Sequence, residues 1–139
     1  LPGKSIISAQ TARTIRHMMI KVTEPGGTAP RAQVLGYHVA GKTGTARQAS
    51  AGGYARRYTT TFAGLVPASN PRFATVVVIN DPQAGSYFAG LVSAPVFSKV
   101  MAGSLRLMNI TPDNLPPPVD PAAAQPQTAA AAATPGGRI

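Results

Sequence analysis

Four consecutive residues, Lys42-Thr43-Gly44-Thr45, carry the side chains best suited to chemistry. They lie near the end of an extended stretch, residues 36–46. Side chains of a strand alternate between its two faces, so Lys42 and Gly44 share one face while Thr43 and Thr45 share the other. Such a strand offers an ammonium, two hydroxyls on one side, and a gap at Gly44 where a ligand backbone can lie close. At a sheet edge its main-chain N–H groups are open to bind as well. These parts suit a carbonyl compound that bears a carboxylate. The letters alone decide little, because a Lys-Thr-Gly triplet arises by chance in roughly a few of every hundred chains of this length. An ordinary strand end with a glycine bulge would read the same, so the elements that position these residues must decide.

Ser8 has the chemistry of a helix N-cap. Beyond it, Ile15, Met18, Met19 and Val22 fall at i, i+3, i+4 and i+7, while Arg13, Arg16, His17 and Lys21 take the other positions. This spacing predicts an amphipathic helix over 9–22 lying on a sheet, with the Met pair in the core. Pro25-Gly26-Gly27 ends it, and 24–35 is a loop containing Pro30 and Arg31. The Lys42 strand follows. Residues 47–57 are polar, with Gly52-Gly53 at their centre, and read as a hairpin connection. Residues 58–66 are rich in Thr and aromatic side chains and make the returning strand. Pro67-Ala68-Ser69-Asn70-Pro71 is a turn. The unbroken apolar run 73–79 reads as a strand covered on both faces. Three strands on short links make an antiparallel meander.

Residues 80–90 form a second loop, with Asp81-Pro82, Gly85 and the aromatic pair Tyr87-Phe88. Ser93 reads as an N-cap and Pro95 as a first-turn residue. Phe97, Met101, Leu105 and Met108 form one apolar row, and Val96, Val100 and Leu107 a second, which predicts a mostly buried helix packed on the sheet. Pro112 stops it. From Thr111 onward prolines punctuate an Ala-rich run with too few large apolar groups to offset the entropy of ordering, so 111–139 is expected to be a disordered tail. The expected class is α/β of the α+β type: a three-stranded antiparallel sheet with flanking helices, in a body of residues 1–110.

The 139 residues bound the chain to at most one domain. The absence of cysteine excludes disulfides and cysteine-bound metal, and no cofactor or metal site is expected. The longest strongly apolar run, 74–79, is far too short to span a bilayer. The formal net charge is +9, with all but one of the 13 Lys and Arg residues in 1–110. The cations are scattered, Arg56-Arg57 being the only adjacent pair, and no nucleic-acid motif accompanies them. A solvated basic surface is the reading, with no nucleic-acid partner. The first residue is Leu1, and Pro2-Gly3-Lys4-Ser5 reads as a loop cut within a domain, so a fragment is expected.

With the elements placed, residues 1–115 resemble the C-terminal half of the serine penicillin-binding transpeptidase domain, whose motif set includes this Lys-Thr-Gly triplet. The stretches Pro2-Gly3-Lys4-Ser5-Ile6-Ile7, Gly41-Lys42-Thr43-Gly44-Thr45-Ala46, Ala63-Gly64-Leu65-Val66-Pro67-Ala68, Val76-Val77-Val78-Ile79-Asn80-Asp81-Pro82 and Val92-Ser93-Ala94-Pro95-Val96-Phe97 carry the likeness. Their joint order resembles the division-specific class B group of Gram-negative bacteria, the penicillin-binding protein 3 type. The resemblance implies part of a serine transpeptidase/β-lactamase-like fold. It implies a D,D-transpeptidase that cross-links peptidoglycan stem peptides at the septum through a serine acyl-enzyme, and β-lactams that acylate the same serine. It also implies a periplasmic location, anchorage in the inner membrane through a missing N-terminal part, and partners among other division proteins.

Carried over by position, Lys42 would set the positive potential and proton network beside the nucleophile. Thr43 and Thr45 hydroxyls would hold the carboxylate, and the Thr45 backbone N–H would be an oxyanion-hole donor. Gly44 would admit the ligand, and Tyr87 and Phe88 would wall its side chain. His17 and His38 match no catalytic role and are taken as structural. The family also needs Ser-x-x-Lys and Ser-x-Asn. Ser5, Ser8, Ser50, Ser69, Ser86, Ser93, Ser98 and Ser104 each lack Lys three positions on and Asn two positions on, so this chain holds no nucleophile and is expected to be inactive alone. Two other classes share parts of the pattern. A D,D-carboxypeptidase or β-lactamase relative has the same strand but not the stretches 76–82 and 92–97. A non-catalytic remnant that holds cell-wall peptide would bind acyl-D-Ala-D-Ala without turnover.

Overall fold

Ser8 opens the first helix as its chemistry requires. In the computed structural model, which describes residues 3–83 and 85–115, its backbone is extended and its hydroxyl accepts the Thr11 N–H at 3.0 Å. Helix α1 spans Ala9–Ile20, two residues shorter than expected. The chain then turns on Thr23, whose buried hydroxyl lies 2.8 Å from the Val39 carbonyl and 3.1 Å from that of Ile20. The expected burial of the Met pair is not found. No α1 residue is buried, and Met18 is 58% exposed. Among the described strands and helices α1 meets β1 alone, so most of its apolar stripe has nothing to cover it.

The sheet is the expected meander. Strands β1 (Ala40–Ser50), β2 (Gly53–Val66) and β3 (Phe73–Asn80) pair antiparallel in the order β1-β2-β3. Its boundaries differ in three places. Residues 36–39 are not strand, and Val34 bridges Tyr37 there instead. The expected connection 47–57 is nearly all ladder, with only Ala51 and Gly52 between the strands. Both faces of that hairpin meet solvent over much of its length, so no apolar period marks it as strand. Finally, β3 is not covered on both faces: its residues alternate half-buried and exposed, with Val76 and Val78 open. An uninterrupted apolar run has the same sequence whether one face or two are covered.

Helix α2 (Ala89–Leu107) explains that asymmetry, because it packs on the face of the sheet that carries Phe62 and Val77. It begins four residues before the expected Ser93 cap, so Ser93 and Pro95 are interior. Phe88 takes the N-cap position without a side-chain cap bond. Pro95 has no N–H to offer the Leu91 carbonyl. Of the first expected row Phe97, Met101 and Leu105 are buried, with Ala94, but Met108 is 60% exposed, and the second row is not buried: Val100 is half exposed and Leu107 is 88% exposed. One sheet face can cover only one stripe of a helix. Asn109, at φ 50°, turns the chain out of the helix ahead of Pro112.

The core centres on Phe62 and Phe97, whose rings meet edge to face with centroids 4.9 Å apart. Gly41 and Gly64, a cross-strand pair, admit them. A Cβ on Gly41 would stand 2.3 Å from the Phe62 ring, and one on Gly64 would stand 2.7 Å from Phe97.

The expected boundary at 110/111 also moves. The Asp113 carboxylate accepts the His38 N–H at 2.8 Å and the Ser69 N–H at 3.0 Å, and the Asn114 N–H donates to the Gly36 carbonyl at 3.0 Å. The packed body therefore continues to Asn114. The rest of the expected tail, 116–139, lies outside the described residues. No helix among the described residues is long and apolar enough to cross a membrane.

Candidate active-site edge

Strand β1 is an edge strand: among the described residues it pairs with β2 and with no other strand. Every second residue of an edge strand turns its N–H and C=O away from the neighbour. The register fixes the faces. Thr43 stands opposite Phe62 and Thr45 opposite Thr60, on the face that α2 covers, while Lys42 and Gly44 stand opposite Ala63 and Thr61 on the other. The alternation expected from the sequence is the one found.

Each threonine hydroxyl has one long contact. Thr43 Oγ1 is 3.4 Å from Thr28 Oγ1, and Thr45 Oγ1 accepts the Ala89 N–H at 3.3 Å. Contacts at this limit are weak and leave capacity for a ligand. The Lys42 ammonium donates to the Thr43 carbonyl at 3.0 Å and has no acidic partner among the described residues. Gly44 is not the bulge of the plainer reading, because the only register shift in β1 falls between Arg47 and Ala49. A Cβ there would meet nothing of the described chain closer than 3.7 Å. Packing within this chain therefore does not require glycine at 44, unlike at 41.

The Thr45 contact with Ala89 brings Tyr87 and Phe88 beside the same edge. Tyr87 stacks on Tyr58 with centroids 4.1 Å apart and planes 9° from parallel, and Phe88 lies 4.6 Å from Tyr87. Both loop aromatics are exposed. Tyr58 stands opposite Arg47, whose guanidinium carbon is 5.8 Å from its ring centroid and whose Nε donates to the Tyr58 hydroxyl at 3.3 Å. A cleft of about 540 Å³ opens here, lined in part by Arg47, Tyr58, Asp81 and Tyr87.

Sequence reading missed Tyr58, Arg47 and Thr28. Reflecting the chain about its Gly52-Gly53 centre places Arg47 opposite Tyr58, so that pair had a signal. Thr28 had none, since its approach to Thr43 depends on how the loop folds back. The His38 backbone N–H donates to the Asp113 carboxylate at 2.8 Å, and its ring Nδ1 lies 3.8 Å from it.

An antiparallel meander with a helix on one face and Lys-Thr-Gly-Thr on its free edge is part of a serine transpeptidase/β-lactamase-like fold. The profile described as "Penicillin binding protein transpeptidase domain" matches residues 1–102, and the chain belongs to that family. It is 52% identical to the peptidoglycan D,D-transpeptidase FtsI of Escherichia coli over 116 residues, which are 83% of this chain and 20% of that protein. A probable peptidoglycan D,D-transpeptidase, PbpC of Pseudomonas aeruginosa, is 51% identical over 113 residues, 81% of this chain and 20% of that protein. The apo transpeptidase domain of Burkholderia pseudomallei penicillin-binding protein 3 superposes with a TM-score of 0.75 at 40% identity, over 81% of this chain and 34% of that one. The chain thus spans about a fifth of the length of these curated relatives.

Proposed function

We propose that this chain is the C-terminal portion of a D,D-transpeptidase that cross-links peptidoglycan stem peptides through a serine acyl-enzyme, and that it supplies the ligand-binding edge but not the nucleophile. The observation that carries the reading is the β1 edge, unpaired among the described residues, with two threonine hydroxyls on one face and on the other a lysine without an acidic partner among those residues, in a chain 52% identical to FtsI over 116 residues. The Thr43 and Thr45 hydroxyls hold the carboxylate of a stem peptide or β-lactam. Gly44 leaves room for its backbone, and the Thr45 N–H polarises the carbonyl under attack. Lys42 supplies positive potential where negative charge develops, which is where fixed donors act most strongly. Tyr87 and Phe88 wall the ligand side chain. The complete protein works at the division septum, on the periplasmic side of an inner membrane that anchors it, alongside other division proteins. Its transpeptidase domain ends with the packed body, and the Pro/Ala-rich residues beyond form a separate tail.

The test is labelling with a fluorescent penicillin. The complete protein is expected to take one label, on a serine of a Ser-x-x-Lys motif upstream of this chain, and the 139-residue chain none. Stoichiometric covalent label on a serine within this chain would overturn the assignment.

A further inference from the structure

Thr60 and Ser93 are wholly buried, and their hydroxyl oxygens lie 2.7 Å apart between β2 and α2. The buried core beside them is apolar, with Phe62, Ala94 and Phe97 close by in sequence. Hydroxyls survive there because they bond to each other, one donating and one accepting. Thr60 has only one further contact, a 3.5 Å approach to the Ile79 carbonyl. A Val and an Ala would fill similar space without that requirement, so the pair contributes direction rather than burial.

That direction points at the ligand edge. Thr60 stands opposite Thr45 in the β1–β2 ladder. Ser93 lies one helical turn beyond Ala89, on the same side of α2. The Ala89 N–H donates to Thr45 Oγ1 at 3.3 Å. The four residues close a ring: Thr45 to Thr60 across the ladder, Thr60 to Ser93 through their hydroxyls, Ser93 to Ala89 along one turn, and Ala89 back to Thr45. The first turn of α2 is held to two neighbouring strands at two points, so sliding or rolling the helix breaks both.

We propose that Ser93 and Thr60 are positioning residues for the ligand edge. They hold the start of α2 so that the Ala89 N–H occupies a lone pair of the Thr45 hydroxyl and leaves its proton for a bound carboxylate. They also fix Phe88, the residue before Ala89, at the wall of the ligand side chain. The inference rests on reading residues 42–45 as the ligand edge.

Two measurements test it. In the complete protein, Thr60→Val and Ser93→Ala are expected to slow acylation by penicillin roughly ten- to hundredfold, the scale of a misplaced binding group. Thr60→Ser, which keeps the hydroxyl, is expected to stay near wild type. In the complete protein, amide hydrogen exchange is expected to show Ala89 losing protection in both variants while Met101, deep in α2, keeps its own. The double variant Thr60→Val/Ser93→Ala leaves no orphan hydroxyl, so it remains folded and shows the same loss at Ala89. Wild-type acylation by the two single variants, or uniform loss of protection along α2, overturns the proposal. Failure of the wild-type complete protein to acylate would instead sink the functional reading, and the exchange experiment would still decide whether the ring exists.

Discussion

Tyr87 lies flat on Tyr58, centroids 4.1 Å apart, and this stack joins the aromatic loop to the sheet. Aromatic pairs add about 0.5–1.5 kcal/mol beyond the area they bury. Tyr58→Ala is therefore expected to free Tyr87 and to weaken binding of penicillins with bulky side chains to the complete protein by several-fold. Tyr58→Phe keeps the stack and is expected to leave binding nearly unchanged. Dissociation constants for the non-covalent complex check both.

Two glycines three positions apart should fail in opposite ways. Gly41→Ala puts a Cβ 2.3 Å from the Phe62 ring and is expected to lower stability by about 1–3 kcal/mol through overpacking. Gly44→Ala meets nothing closer than 3.7 Å within the described chain, so it is expected to leave stability nearly intact and to impair acylation of the complete protein. Urea denaturation and penicillin labelling separate the two.

Asp113 fastens the segment after α2 to the root of β1 and to the β2–β3 turn. Burial pushes its carboxyl up, but hydrogen bonds from the Ser69 side chain and from the His38 and Ser69 backbones outweigh that, with help from the His38 charge. The net pKa lies below the usual 3.8. The unfolded chain then takes up the proton first as pH falls. The contribution of Asp113 is complete above the unfolded-state value and is lost as pH drops through the lower folded-state value. Asp113→Ala is expected to cost about 2–3 kcal/mol at pH 7, on the scale of charge-assisted hydrogen bonds, and much less at pH 2. Denaturation midpoints at the two pH values test the sign.

Thr43 and Lys42 should divide binding from chemistry. Thr43→Val is expected to weaken the first, non-covalent binding of penicillin by roughly tenfold or more, the effect of losing a hydrogen bond to a charged group. Lys42→Ala is expected to slow the covalent step more than the binding step. Stopped-flow acylation of the complete protein resolves the two stages.

Local chemistry was legible in the sequence wherever it acts alone. The Ser8 cap, the two-residue alternation through 42–45 and the Phe97, Met101, Leu105 row each appear in the structure where spacing placed them. The misreadings occurred where a distant partner decides. Ser93 has the letters of a cap, but α2 starts earlier, at Ala89, whose N–H meets Thr45, 44 residues away. Met18 and Val76 are apolar in periodic stretches, yet periodicity does not say which neighbour is present to cover them. The long hairpin carried too little apolar pattern to be seen as strand. Only Lys42 through Thr45 and the loop aromatics were legible as a candidate site. Tyr58 and Thr28 join that candidate through register and loop path.

The three-stranded sheet has two edges, and they face different fates. The β1 edge carries a glycine, two threonine hydroxyls and an ammonium at residues 42–45. The β3 edge carries no charged side chain, and its exposed valines, Val76 and Val78, lie within a continuous β-branched run, residues 75–79. An uncharged edge that pairs with no further strand among the described residues is a template for strand addition between molecules. Expressed on its own, the chain is expected to collect in inclusion bodies through β3, and Val76→Lys, on the open face, is the single change expected to keep more of it in solution.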